Sequence, residues 1–455
     1  MVWPGVRHDE DDTKLWEQVM KPTLTLTAVT GLMALIGSAA AAQTEINFWH
    51  AMGGKLGEKV EEIANNFNAM QDDYKVVATY KGNYTENMTA AIAAFRAGQQ
   101  PHVVQVFEVG TATMMAAQGA VKPVYQVMNA ADIDWDPDAY IPAVKSYYTT
   151  PAGDMLSLPF NSSTPVLWYN KDLLEAAGIK APPRTWDGMF AAADKLKAAG
   201  QDCAFSFGWQ SWVMLENYLA WHNEPIGTKQ NGFAGLDTEF VFDESEDLVD
   251  LLQRIADSQA DGTFQYGGRR GDSLPLFTSG ECAMWMNSSA YYAGISDQAE
   301  FEFGQAMLPV NAGAAEAPQN SIIGGATLWV LDRHPESDYQ GVAEFFNYMS
   351  SPDVQADWHQ SSGYVPITTA AYELSRKQGF YKENPGTDTA IKQLSLNQPT
   401  ENSRGLRFGN FVQVRDIINE ELENLWAGKK SAREALADAA ARGNALLRDF
   451  EAANN

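Results

Sequence analysis

TEINFWH (44–50), YKVVATY (74–80) and HVVQVF (102–107) are the segments on which the fold turns, because all three have the residue types of strands and are separated by helical patterns. The first alternates polar and apolar residues, and Met52, Gly53 and Gly54 then turn the chain. Across 55–70, Leu56, Val60, Ile63, Ala64 and Phe67 recur at the 3.6-residue period of one helix face. A second helical pattern covers 84–98, and the third strand is short and nearly all apolar. Strand, helix, strand, helix, strand in this order predicts a parallel sheet covered by helices. A ligand would then lie beyond the strand ends, close to a helix predicted at 111–118.

Downstream, SLPFNSSTPVLWYN (157–170) reads as an extended crossing followed by a strand, and the α/β rhythm resumes from Lys171. Helices are expected near 190–199, 245–260 and 274–277, and a strand at 283–287. SIIGGATLWVL (321–331) reads as a strand interrupted by a glycine pair, after which 339–349, 352–361, 415–426 and 431–450 carry helical patterns. Two α/β units joined by extended crossings predict a two-lobed periplasmic-binding-protein fold, with a ligand cleft between the lobes. We expect 43–155 to form lobe 1, completed by about 320–365, and 156–319 to form lobe 2, completed by about 366–455.

At the front of the chain, KPTLTLTAVTGLMALIGSAAAA (21–42) has a basic start, an apolar run and small residues suited to signal-peptidase cleavage. Residues 1–42 are therefore read as leader and signal peptide. The acidic stretch Asp9–Asp12 is foreign to a leader, so the start is placed at Met20. The expected location is the periplasm.

The formal net charge of -26 excludes nucleic acid and anionic membranes as natural partners, while leaving room for a small anion held by local donors. Cys203 and Cys282 are the only cysteines, and the sequence leaves open whether they form a disulfide or stay free thiols. No serine-hydrolase elbow, zinc-protease pair, phosphate-binding Walker loop or cysteine-rich metal pattern occurs, and the histidines show no ligand spacing. We expect no enzyme activity, no cofactor and no metal.

The segments YKGNYTENMTAAIAAFRAG (80–98), QVFEVGTATMMA (105–116), LPFNSSTPVLWYNKD (158–172) and GWQSW (208–212) are similar to one known family. So are GECAMWMNSS (280–289), IIGGATLWV (322–330), GYVPIT (363–368) and GLRFGN (405–410). They resemble the extracellular solute-binding family, the maltose-binding-protein-like receptors that serve ABC importers, and within it the receptors for phosphate esters of glycerol. The resemblance implies a monomeric, non-enzymatic receptor for sn-glycerol 3-phosphate and glycerophosphodiesters such as glycerophosphocholine. Its partners would be that small-molecule phosphate ester and a membrane ABC permease with its ATPase. A sugar or oligosaccharide receptor of the same family is the alternative.

The ligand contacts implied by the resemblance are Tyr84, Glu108, Ser163, Ser288, Gly325, Tyr364 and Arg415, with Trp209 and Trp212 as an aromatic wall. Their chemistry suits those parts. Arg415 has a planar fork for two phosphate oxygens, near the start of a helix whose free N–H groups favour anions. Pairing with Asp416 or Glu420 at the surface is the plainer reading, and Arg407 is the second candidate cation. Ser163 and Ser288 offer hydroxyl donors, although serine pairs commonly cap turns. Gly325 allows close backbone approach, and Tyr84 and Tyr364 offer phenols. Glu108, at the end of a buried strand, would accept from glycerol hydroxyls, away from the phosphate. Trp209 and Trp212 stand three apart, so in a helix they would share a face.

Overall fold

The computed structural model describes residues 43–454 apart from 118, 151, 315 and 316. The leader expected at 1–42 lies outside the described residues. Ten strands are described: β1 (Thr44–His50), β2 (Tyr74–Tyr80), β3 (Val103–Phe107), β4 (Val121–Lys122), β5 (Leu158–Ser163), β6 (Pro165–Asn170), β7 (Cys203–Phe207), β8 (Cys282–Ser288), β9 (Phe303–Ala306) and β10 (Gly324–Leu331).

They form two sheets, and the architecture is two-lobed α/β with helices flanking a cleft. In the first sheet the order is β2-β1-β3-β10-β4, with β5 also paired to β10. β1 pairs in parallel with β2 and β3, as the sequence pattern requires. The expectation of a parallel sheet stops there. β10 returns from the far part of the chain and runs antiparallel to β3, β4 and β5, giving a mixed sheet. The second sheet has the order β7-β8-β6-β9, with β7 and β8 parallel and β6 antiparallel to both neighbours.

β3 is buried at every residue, which is why it reads as a continuous apolar run rather than an alternation. The helix Gly54–Met70 lies against β2 and Glu336–Met349 against β1, the first burying Val60, Ile63, Ala64 and Phe67 as its spacing predicts. The helix Tyr84–Ala97 begins on a capping box in which Asn83 accepts from Thr85 and Glu86 N–H, and ends on Gly98 in a left-handed conformation. On the other side, the long helices Phe411–Trp426 and Ala432–Asn454 pair with each other, and the first packs beside the turn after β7. No described helix is long and apolar enough to cross a membrane.

Cys203 and Cys282 stand opposite each other in the β7–β8 pairing and are joined in a disulfide, resolving the choice that the sequence left open. The link closes a loop of 79 residues, so it limits the unfolded chain more than the folded one. Replacing both cysteines by serine should lower stability by about 2–4 kcal/mol in chemical denaturation, the typical range for a native disulfide.

At the start of β10, Gly325 has φ +110°, and a Cβ there would run into the carbonyl oxygen of Asn161 on β5. The β5–β10 register shifts just beyond the glycine pair, between Ala326 and Thr327. Gly325→Ala should cost about 2–3 kcal/mol of unfolding free energy, measurable by urea titration.

Candidate functional site

The carboxyl ends of β1, β3, β5 and β8 and the first residues of β10 converge on one cavity of about 480 Å³. All nine residues singled out from the sequence line it: Tyr84, Glu108, Ser163, Trp209, Trp212, Ser288, Gly325, Tyr364 and Arg415. Leu56, Leu274 and Tyr291, which sequence reasoning missed, complete its apolar wall. Nothing in their local sequence separates them from ordinary core residues.

One wall carries the phenols. Tyr84 is the first residue of its helix, and its ring stacks on Phe107 at 5.3 Å with an interplanar angle of 5°. A chain of amides sets its hydroxyl: Ala51 N–H donates to Gln105 Oε1 (2.8 Å), Gln105 Nε2 to Asn161 Oδ1 (2.7 Å), and Asn161 Nδ2 to Tyr84 (3.0 Å). The Tyr84 and Tyr364 hydroxyls lie near each other, and Tyr364 stacks on Trp358 at 5.6 Å. Burial holds both phenols above the ordinary tyrosine range, so they are neutral donors. Toward the protein, the Tyr364 proton reaches only the weak acceptor Met52 Sδ at 3.8 Å.

Beside the phenols lie small donors. Ser288 Oγ accepts from Ala290 N–H at 3.1 Å, so it caps the following turn and also lines the cavity, its own O–H proton remaining to donate. Ser163 stands opposite Gly324 in the β5–β10 pairing. Gly324 is needed for another reason: a Cβ there would strike the Trp212 ring.

Trp209 and Trp212 both face the cavity, but not as neighbours on one helix face. Trp209 has φ +47°, outside any helix, and its N–H donates to the Arg270 carbonyl at 2.9 Å. The following turn, Ser211–Glu216, is a π-helix. The three-residue spacing therefore does not place these two side chains on one face of a helix. The Trp209 indole lies near the Tyr291 hydroxyl, whereas the buried indole N–H of Trp212 has no partner among the described residues.

Arg415 departs most from expectation. It lies in the second turn of Phe411–Trp426, past the free N–H groups of the helix start, and it is 5% exposed. The plainer alternative paired it at the surface with Asp416 or Glu420, yet Nε and Nη2 donate to the two oxygens of Glu216 at 2.7 and 2.6 Å. Nη2 also sits 2.7 Å from Glu108 Oε1. The fork expected to hold phosphate is thus taken by a carboxylate, and Glu108 stands beside the cation rather than apart from it. The reason is elementary: buried carboxylates need a buried cation, and Arg415 serves both. Burial raises the Glu108 pKa, which Arg415 opposes and Glu216 reinforces. Burial works against the guanidinium charge, but the two carboxylates hold its pKa above the ordinary arginine value.

Glu216 was missed, although a signal existed: it is the lone charge within WVMLENYLAW (212–221), where a buried carboxylate demands a partner. Arg407, the second candidate cation, lies off this cavity. It stacks on Phe233 at 4.3 Å, donates to the Tyr147 carbonyl at 2.9 Å, and burial lowers its pKa to about 10.

Among the described residues, His102, His334 and Asp338 alone are close enough to share a metal. Their bonding argues for support instead. His102 Nδ1 accepts from Asn47 N–H at 3.0 Å, so the ring proton is on Nε2, facing Asp338 at 3.2 Å. A metal at Nε2 would force that proton to Nδ1, against another donor.

Residues 62–389 match the family described as bacterial extracellular solute-binding protein. The sn-glycerol-3-phosphate-binding periplasmic protein UgpB of Yersinia pseudotuberculosis is 49% identical over 418 residues, covering 91% of this chain and 95% of that protein. Its counterpart from Escherichia coli K12 is 48% identical over 436 residues, covering 95% and 99%. Among solved structures, UgpB from Mycobacterium tuberculosis in complex with glycerophosphocholine superposes with a TM-score of 0.75 at 19% identity, covering 90% of this chain and 99% of that one. The cyclic alpha-maltosyl-1,6-maltose binding protein of Arthrobacter globiformis gives 0.71 at 20% identity, covering 90% and 100%. Proteins of this kind are receptors rather than enzymes, and this chain belongs to the bacterial extracellular solute-binding protein family.

Proposed function

We propose that this chain is the periplasmic receptor of an ABC importer, capturing sn-glycerol 3-phosphate and glycerophosphodiesters such as glycerophosphocholine and delivering them to the permease. The observation that carries this reading is the division of the cavity into two chemistries. One part presents neutral donors: the hydroxyls of Ser163, Ser288 and Tyr364 and the backbone at Gly325. The other presents a paired donor and acceptor, Arg415 and Glu108, 2.7 Å apart. Neutral donors suit phosphate oxygens, and the paired end suits vicinal hydroxyls, which donate and accept at once. Arg415 accordingly serves the glycerol end, because Glu216 occupies its fork. The indoles of Trp209 and Trp212 cover the carbons, and a ring face can attract a quaternary ammonium in a choline diester. The names of the 49%-identical relatives support the same assignment.

In mechanism, the open lobes admit the ligand, and contacts from both sides form fully only on closure. Ligand therefore shifts the population toward the closed form, by as much as it prefers that form. The closed monomer offers the permease a surface that the open one lacks. A sugar receptor remains the second reading, because an aromatic wall with a carboxylate–arginine pair also suits a polyol ring, and the Arthrobacter protein of similar fold binds a maltose derivative by name.

Calorimetric titration of the mature protein, freed of bound ligand, with glycerol 3-phosphate, glycerophosphocholine and maltose separates the readings. Saturable binding of a phosphate compound without maltose binding is expected, and maltose binding alone would establish the sugar receptor. Glu108→Gln should weaken both phosphate ligands by about 10- to 100-fold through the loss of a charged hydrogen bond, with the fold retained by circular dichroism.

A further inference from the structure

We propose that the buried group of Glu108, Arg415 and Glu216 makes the cleft select phosphate esters bearing a single negative charge, so that diesters and the monoanionic form of a monoester are taken and the monoester dianion is refused. This rests on the phosphate-receptor reading above and specifies the charge state of its ligand. Two carboxylates stand against one guanidinium, at 2.6 and 2.7 Å, and all three side chains are at most 6% exposed. Even with a proton on Glu108 the group is only neutral. The other cation on the cavity wall is Lys55, which is 74% exposed at the mouth and 3.7 Å from Asp297. Phosphate oxygens in this cavity therefore meet hydroxyls and backbone but no uncompensated buried cation. A first negative charge can be met by several such donors. A second must be stripped of water beside a net negative group, with nothing to balance it.

The charged and titratable groups around this cluster come from several elements. Tyr84, Tyr147, Tyr148 and Tyr364 are all held above the ordinary tyrosine range by burial and stay neutral. Arg269, Arg270, Asp272 and Asp416 line an adjoining chamber that shares Trp209 and Arg415 with this one. Behind Met52, His50 is lowered by burial to about 4 and is neutral above pH 5. Glu108 is raised by burial, so its titration could also alter binding. Any protein titration acts on every ligand, whereas the second ionisation of a phosphate monoester, near pH 6, acts on the monoester alone.

The test is calorimetry of the mature protein at pH 6, 7 and 8 with glycerol 3-phosphate and glycerophosphocholine in parallel. Expected is a fall of roughly 50-fold in monoester affinity from pH 6 to 8, tracking the monoanion fraction, while diester affinity changes less than about 3-fold. Glu216→Gln, removing one buried negative charge, should flatten the monoester profile to less than about 10-fold over the same range. Monoester affinity that is constant or rises toward pH 8 overturns the inference, and so does a parallel fall of both ligands, which would assign the effect to the protein. Should the variant fail to fold, the wild-type profiles alone decide. Binding of neither compound at any pH would remove the phosphate-receptor reading itself.

Discussion

The cleft depends on how a guanidinium can be kept inside a protein. Arg415 comes from a helix packed beside the second sheet, Glu216 from the π-helical turn after β7, and Glu108 from the end of β3 in the first sheet. Each charge alone would cost several kcal/mol to bury. Together they compensate one another, and the compensation requires that the end of β3 meet the helix Phe411–Trp426. Removing Arg415 would leave two buried carboxylates uncompensated, a loss of the order of 3–5 kcal/mol, whereas removing either glutamate leaves one paired carboxylate. The cluster therefore fixes the spacing of the elements that carry the remaining cavity groups. Its bidentate half, Arg415 with Glu216, joins elements of one side, and the single bond to Glu108 spans the cleft. That asymmetry suits a receptor whose two sides separate, since the arginine keeps a partner when the cleft opens.

Topology places the other groups. Parallel strands β1 and β3 bring their carboxyl ends to one edge, and β10, running the opposite way, brings its amino end to that edge. The glycine pair that opens β10 thus lies beside Glu108 and Ser163 although more than 150 residues separate it from either along the chain. Glycine is required there twice over, by the Asn161 carbonyl at Gly325 and by the Trp212 indole at Gly324. A polar relay from Ala51 through Gln105 and Asn161 then fixes the Tyr84 hydroxyl, so the donor is aimed before ligand arrives.

Much of this was legible in the sequence, for identifiable reasons. β1, β2 and β3 declare themselves through alternation or an unbroken apolar run, and the amphipathic helix after β1 through its period. The cavity residues were named through the family resemblance, and local pattern only accords with it: Glu108 follows VVQVF, Gly325 interrupts a strand, and Ser163 and Ser288 stand at strand ends. What stayed hidden depends on partners distant in the chain. The direction of β10 is set by a return from residue 324 to a sheet begun at 44, which no local period encodes. The left-handed backbone of Trp209 is imposed by its bond to Arg270 across a remote turn, so helical spacing misled there. The Arg415 pairing failed for the same reason, since Glu216 is 199 residues away while Asp416 is adjacent. Local spacing overvalues neighbours whenever burial, not proximity in sequence, selects the partner.

The proposal of an anionic ligand for a chain of net charge -26 would be paradoxical if global charge governed recognition. Surface charges act through water and salt and are screened within about 8–10 Å. Inside the cavity the dielectric is lower, and oriented hydroxyls and amides count for more than distant carboxylates. The acidic surface then has little influence on the bound state, and the local inventory of donors decides. That inventory contains phenols kept neutral by burial, serines with a free proton, and a guanidinium already compensated. On the proposed phosphate-ester reading, such a site would hold its anion by directed hydrogen bonds rather than by a fixed positive charge. A receptor that must release its cargo to a permease gains from this, because directed bonds are lost as soon as the two sides part, whereas attraction to a fixed charge fades only gradually with distance.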